Sequence, residues 1–360
     1  MPMRERLTIR HRLQAFSAEY FTPARRHFSY STENFLGCQA LRKVEPPALF
    51  VSSPLPAPDA SWRTIDIHAL AEFFANPARY FLTRRMDIRL PRPSSELTER
   101  EPMELDGIDR FAVKSELLEK RLVGANLASL RPAFLADGRL PLGKAGELVF
   151  LELCESVEEF HERLTRFRPT ERLPTPELDL ELNEFRLVGR FDHVTSLALL
   201  HYRPAMVAPK DRMRAWIQHL AWCASKPGQR LISVVMGEPP KGRTSAGLQY
   251  RALDPRPARD LLGKLLEHYW RGLSEPLRFF PNTSLKFAEI DYNNADRRPD
   301  AWKDSLRKSR KEWDSDRFNR GEDDDEHYRI CFHHFDPLDG DFMALARSIG
   351  HPLLEHEDPI

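Results

Sequence analysis

Gly189-Arg190-Phe191-Asp192 closes a run of alternating residues, and His201-Tyr202-Arg203 follows shortly after it. Just upstream, Leu178, Leu180 and Leu182 alternate with Asp179 and Glu181. A period of two reads as a half-buried strand. Phe185 to Val194 and Ala198 to Tyr202 read as two further strands. Before them, Gly143 and Gly146 precede a helix running through Leu148, Leu151, Leu153, Val157 and Phe160. After them, Asp211 to Cys223 reads as a helix carrying Trp216, Ile217, Leu220 and Trp222. Leu231 to Met236 is a short apolar run expected to be a buried strand, with Leu248 to Leu253 as its hairpin partner, and Ala258 to Gly272 is helical. This order predicts a mixed α/β core.

Working outward, a helical layer precedes that core. Asp66 is a candidate N-cap for a helix bearing Leu70, Phe73 and Phe74. Asn76-Pro77 stops it, and Pro77 can open a second helix with Tyr80, Phe81 and Leu82. Leu105 to Leu122 and Leu127 to Leu135 read as helices, with a turn at Asp137-Gly138. Residues 1–60 hold a helical stretch, Ser31 to Leu41, but also Pro46-Pro47 and the proline-rich Pro54 to Pro58. They read as a connector, a strap or the tail of a preceding domain. The expected organisation is therefore this connector followed by one domain, 61–360, with a helical part 61–170, a mixed-sheet core 171–290 and a C-terminal helical part 291–360. No internal repeat is evident.

The 360 residues suffice for a large core. Hydrophobic residues at 41% and charged residues at 30% exclude a disordered chain. Lys+Arg and Asp+Glu are both 54, so any DNA contact must be local or shared with a partner, because a free-standing nucleic-acid binder usually carries a basic excess. The four cysteines (Cys38, Cys154, Cys223, Cys331) form no C-x-x-C motif. Met1 to Arg12 lacks the apolar core of a signal peptide, and no apolar run approaches a membrane span. A cytoplasmic location is expected.

Gly237 to Thr244 (GEPPKGRT) follows a strand and resembles a phosphate-cradling loop. Arg243 stands where that loop needs lysine, and Pro239 and Pro240 offer no N–H, so a hairpin loop is the better reading. The stretch from Gly143 to Trp222 carries more. Metal-dependent nucleases need acids to hold Mg²⁺ and a lysine to orient water and stabilise developing charge. RecB-type nucleases of the PD-(D/E)XK class show, in order, a helix with G-x-x-x-H-x-x-L-E, a strand with G-R-I-D, a strand with D-Y-K and a helix with Q-x-x-x-Y. This chain resembles that series. Gly146 to Cys154 (GELVFLELC) puts Phe150 at the His position and Cys154 at the Glu position. Gly189 to Asp192 keeps its acid, His201 and Arg203 stand for Asp and Lys, and Gln218 and Trp222 fall at the Q and Y positions. The resemblance implies a PD-(D/E)XK restriction-endonuclease-like core with an added helical layer. Its site is degenerate: Phe150, Cys154, Asp192, His201, Arg203 and Gln218. One carboxylate holds Mg²⁺ poorly, and arginine does not deprotonate near neutral pH. No catalytic residue, metal or cofactor is therefore expected.

Further stretches sharpen the resemblance: Phe73 to Arg85, Leu140 to Glu147, Tyr202-Arg203-Pro204, Arg214 to Ala224, Ser274 to Pro281 and Arg320 to Tyr328. Together they resemble the C-terminal part of the RecC family, the gamma subunit of exodeoxyribonuclease V. RecC subunits are much longer, so the resemblance implies that the chain corresponds only to their final third, which leaves open an excised domain with an artificial start at Met1. The resemblance implies assembly with RecB-type and RecD-type subunits, work on double-stranded DNA ends and their separated strands, and no cutting by this subunit. Two alternatives stay open: a weakly active Mg²⁺ nuclease using Asp192, and a pure protein-interaction module.

Two smaller features complete the reading. The helix Ala301 to Phe318 carries Lys303, Arg307, Lys308, Arg310 and Lys311 opposite Trp302, Leu306 and Trp313, and these five are the candidate DNA-binding residues. The acidic run Glu322 to Glu326 offsets them. His327, His333 and His334 cluster in sequence but lack partners at metal-ligand spacing.

Overall fold

The structure is a computed structural model that describes residues 11–23, 27–42, 49–91, 104–167, 175–226, 228, 232–239, 247–294, 300–317 and 319–360. The chain divides into two compact units, Met1–Leu49 and Phe50–Ile360. In the first, helix α1 (Thr32–Arg42) buries Cys38. Tyr20 is buried against the rings of His11 and His27.

The second unit is mixed α/β. Strand β1 (Thr64–Asp66) leads into α2 (Ile67–Ala75), whose N-terminus is capped as read: the Asp66 carboxylate accepts from His68 N. Asn76 then accepts from Arg79 N and opens α3 (Pro77–Tyr80), which continues as one π-turn, Phe81–Arg85. Helix α4 (Gly107–Leu122) follows. The expected helix Leu127 to Leu135 is instead a 3₁₀ turn, Leu127–Leu130, and α5 (Arg131–Ala136), because Pro132 takes a first-turn position and cannot continue an earlier helix.

Helix α6 (Gly143–Thr165) includes the two glycines expected ahead of it. Gly146 lies inside because the Pro141 carbonyl oxygen stands 1.9 Å from where its Cβ would be. Strands β2 (Glu177–Leu182) and β3 (Phe185–Arg190) are antiparallel, and β1 joins β3 in parallel. The expected strand to Val194 stops at Arg190. Asp192 and His193 make a turn, His193 adopts φ 51°, and Val194 only bridges Leu199.

The second sheet runs β4 (Ala198–Tyr202), β5 (Ile232–Met236), β6 (Gly247–Tyr250) and β7 (Glu357–Pro359). β4 and β5 are parallel, joined through α7 (Pro209–Ser225), and β5 and β6 are antiparallel as read. The phosphate-loop look-alike falls mostly outside the described residues, from Pro240 to Thr244. Leu199 and Val235 face one core, with α2, α7 and α8 (Pro255–Gly272). Ala198, Leu200, Val234 and Met236 face another, with α4 and α6. The alternation along β4 and β5 thus places helices on both sides of the sheet.

A third core gathers α9 (Pro281–Asn294), α10 (Ala301–Trp313), α11 (Glu326–Phe332) and α12 (Gly340–Glu355) around Phe280 and Phe342. α10 ends at Trp313, and Phe318 lies outside the described residues. The acidic run does not simply balance α10. Glu322 accepts from the Asn282 and Thr283 amides and the Thr283 hydroxyl at the start of α9, and Asp325 caps α11. Among the described residues, no helix is long and apolar enough to cross a membrane.

Candidate functional site

The turn after β3 holds Asp192. Gly189, two residues into its approach, has φ +137°, and a Cβ there would stand 2.8 Å from Asp66 Oδ2 and 2.9 Å from Ile67 Cγ2. Only glycine tolerates both conditions. Phe191 then turns inward, fully buried, with its ring 5.0 Å from that of Trp222 in an edge-to-face arrangement. This contact joins the G-R-F-D strand to the Q-x-x-x-Y helix. Asp192 points outward: its side chain is 53% exposed, and Oδ2 lies 3.5 Å from His68 Nε2.

On β4, His201 Nε2 is shut off from solvent and has no hydrogen-bond partner. Burial first, and then the nearby His193, Arg214, His219 and His68, together push its pKa down to about 3. The ring is therefore neutral at pH 7. An aspartate here would have to be charged to hold a cation, whereas a neutral imidazole adds no negative charge.

Arg203 continues past the strand. Its amide donates to Met236 O at 3.0 Å, Nη1 pairs with Asp211 Oδ2 at 3.1 Å, and the guanidinium lies 4.7 Å over the Phe111 ring. Asp211 also accepts from Ala208 N at the start of α7. The residue in the lysine position is thus held by a helix terminus and an aromatic face. Arg203 Nε keeps no partner.

The remaining positions of the series lie on helices α6 and α7. Phe150 is fully buried, 5.7 Å ring to ring from Phe134. Cys154 is half-buried, with a thiol pushed up to about 11 by burial and then by Glu158, so it is uncharged at neutral pH. Gln218 is buried with Oε1 unpartnered.

Asp211, Arg214, Gln218 and Trp222 recur at helical spacing along one ridge of α7. Asp211 meets Arg203, the charge of Arg214 reaches His201, and Trp222 meets Phe191. One helix face therefore lies along the strand positions of the series. The sequence reading found Gln218 and Trp222 on this ridge but missed Asp211 and Arg214, which the same spacing would have reached. It also missed His68, whose approach to Asp192 has no local signature.

The two distal candidates do not join this site. On α10, Lys303, Arg307, Lys308 and Lys311 are exposed and Arg310 is half-buried. Lys303 pairs with Asp300, Arg307 with Asp304 and Arg310 with Asp336. His327 is buried beside Asp325, while His333 and His334 lie exposed with their rings 5.0 Å apart. Among the described residues, no group of three or more His, Cys, Asp or Glu side chains is placed to hold a metal ion.

Comparison with known proteins places this geometry. Residues 62–292 match the family model of the RecC C-terminal domain. A RecBCD enzyme subunit RecC from Escherichia coli (strain K12) is 26% identical over 340 residues, covering 92% of this chain and 28% of that protein. The RecBCD enzyme subunit RecC of Mycobacterium tuberculosis (strain CDC 1551 / Oshkosh) is 26% identical over 330 residues, covering 90% and 29%. That of Mycolicibacterium smegmatis is 28% identical over 243 residues, covering 67% and 22%. The chain spans less than a third of the length of these relatives. On the extent of the family match, the chain belongs to the RecC C-terminal domain family.

Proposed function

We propose that this chain is a non-catalytic, nuclease-derived domain of a RecBCD-type helicase–nuclease, acting in double-strand-break end processing and recombinational DNA repair. It supports RecB-type and RecD-type subunits and strand separation at DNA ends, uses no cofactor of its own and works in the cytoplasm. The order from α6 to β5 (helix, three strands, helix, strand) supports a PD-(D/E)XK-type core. The relatives' description as RecBCD enzyme subunits supports the assembly.

The observation that carries the non-catalytic reading is the fate of the four altered positions. Phe150 packs in a core, Cys154 holds a protonated thiol, His201 is neutral and Arg203 is committed to Asp211. Asp192 alone keeps an acid, and Mg²⁺ takes one or two carboxylates together with phosphate oxygens. The five basic residues of α10 are the proposed DNA-facing set, with three of them already in ion pairs.

Digestion of linear DNA with Mg²⁺ or Mn²⁺ tests the reading. The chain is expected to leave DNA intact, and Asp192→Ala to change nothing. Robust cutting that disappears in Asp192→Ala overturns it and establishes an active nuclease.

A further inference from the structure

Successive residues of a helix turn by about 100°, so a long helix shows two faces. On α6, Gly146, Phe150, Leu153, Val157, Phe160 and Leu164 point one way and are buried. The opposite stripe holds Leu148, Leu151, Glu155, Glu159 and Glu162, all exposed. Leu142, just before the helix, extends its apolar end. Leu142, Leu148 and Leu151 are 66%, 67% and 51% exposed. Single exposed leucines are ordinary, but a run of them on one helix face signals an interaction surface.

The acidic half is a second, independent feature. Glu155, Glu159 and Glu162 follow at spacings of four and three, so like charges face one another. Glu162 also lies in the last turn, where the macrodipole disfavours anions, with Arg163 and the C-cap residue Arg166 as the basic residues there. The stripe is therefore unfavourable to the helix that bears it, both in its leucines and in its charges. A partner that covers the leucines and supplies cations relieves both.

We propose that this face of α6 docks a protein partner bringing apolar side chains against Leu142, Leu148 and Leu151 and a row of lysines or arginines against Glu155, Glu159 and Glu162. The acidic half selects against nucleic acid, whose phosphates it repels. The proposal rests on the multi-subunit reading above and names the surface through which the chain joins its complex.

The test is co-expression of the chain with the RecB-type and RecD-type subunits of the same genome, followed by affinity measurement on purified components. Leu148→Asp with Leu151→Asp is expected to weaken assembly at least tenfold. Glu155→Gln, Glu159→Gln and Glu162→Gln together are expected to weaken it while raising the melting temperature of the chain alone, because they remove the like-charge repulsion. That opposition excludes misfolding as the cause. Wild-type assembly is also expected to weaken with salt. If both variants assemble like wild type, the docking surface is wrong and the multi-subunit reading stands. If wild type binds neither subunit, both fail. If the leucine variant instead loses binding to a single-stranded oligonucleotide, the protein partner is overturned.

Discussion

Acid should unfold this protein through two buried imidazoles. His219 is fully buried, with Nδ1 2.9 Å from Ser233 Oγ and Nε2 2.9 Å from Arg251 O. Burial lowers its pKa to about 4, and that of His201 to about 3. The unfolded value is about 6.5. Above that, neither state binds the proton and the full stability is present. As pH falls below 6.5, the unfolded chain takes up protons that the fold refuses, and stability is lost down to pH 3–4. At pH 5 each unfolded imidazole lies about 1.5 pH units below its pKa, while each folded one is still neutral. The loss is about 2 kcal/mol per residue, about 4 kcal/mol together. That is a large share of the roughly 5–15 kcal/mol that holds a domain folded. Glu322 works against it: burial raises its carboxyl to about 7, so acidification stabilises the fold there. The readout is therefore a difference. Denaturant unfolding at pH 7 and pH 5 is compared between wild type and His201→Asn/His219→Gln. The double variant, whatever its stability at pH 7, should lose about 4 kcal/mol less on acidification. Losses agreeing within about 1 kcal/mol would refute buried neutral histidines at both positions.

Two further substitutions probe the frame around the site. Gly189→Ala meets a positive φ and two close neighbours, Asp66 Oδ2 and Ile67 Cγ2, so denaturant unfolding should show a loss of about 2 kcal/mol or more; a loss below about 0.5 kcal/mol would mean that β1 and β3 are not so closely apposed. Glu322→Ala removes the acceptor of the Asn282 and Thr283 amides, with an expected cost of about 1–2 kcal/mol at pH 8, where the carboxylate is charged. An unchanged melting temperature would show that the acid does not cap α9.

Legibility followed the range of the interaction. Leu178, Leu180 and Leu182 announced β2 because one face of that strand is buried, a property that alternation records directly. Asp66 was readable as a cap because a cap bonds two or three residues ahead, and Asn76-Pro77 as a break because proline can open a helix but not continue one; that Asn76 also caps was not read. β1 and β7 were not readable: each has three residues, too few for a period, and each exists through pairing with a distant strand. The acidic run read as surface charge, although Glu322 is spent on amides some forty positions away, a commitment that composition does not encode. At the site, Gln218 and Trp222 were found through the resemblance to the Q-x-x-x-Y motif, which lies within one helix. The approach of His68 to Asp192 depends on β1 lying beside β3, and so on the part of the fold that was invisible.

Each residue of the proposed degenerate site is held by its own surroundings. Phe150 does more than lack a functional group: it fills the core between α5 and α6, so a polar residue there would lose buried apolar contact as well as gain chemistry. Glutamate at position 154 would place a charge in a half-buried spot facing the like-signed Glu158, so its carboxyl would resist ionising for the same reason that the thiol does. Aspartate at position 201 would be buried, which disfavours its charge, and Arg203 would still be held by Asp211 and Phe111. On the proposed reading, building a metal-bound water here would require several changes at once. Meanwhile the leucines and glutamates of the outer face of α6 are exposed, whereas Phe150 on its inner face is buried. A fold whose inner face has been committed to packing can still vary its outer face, and on α6 that outer face carries the residues whose exposure the helix itself does not explain.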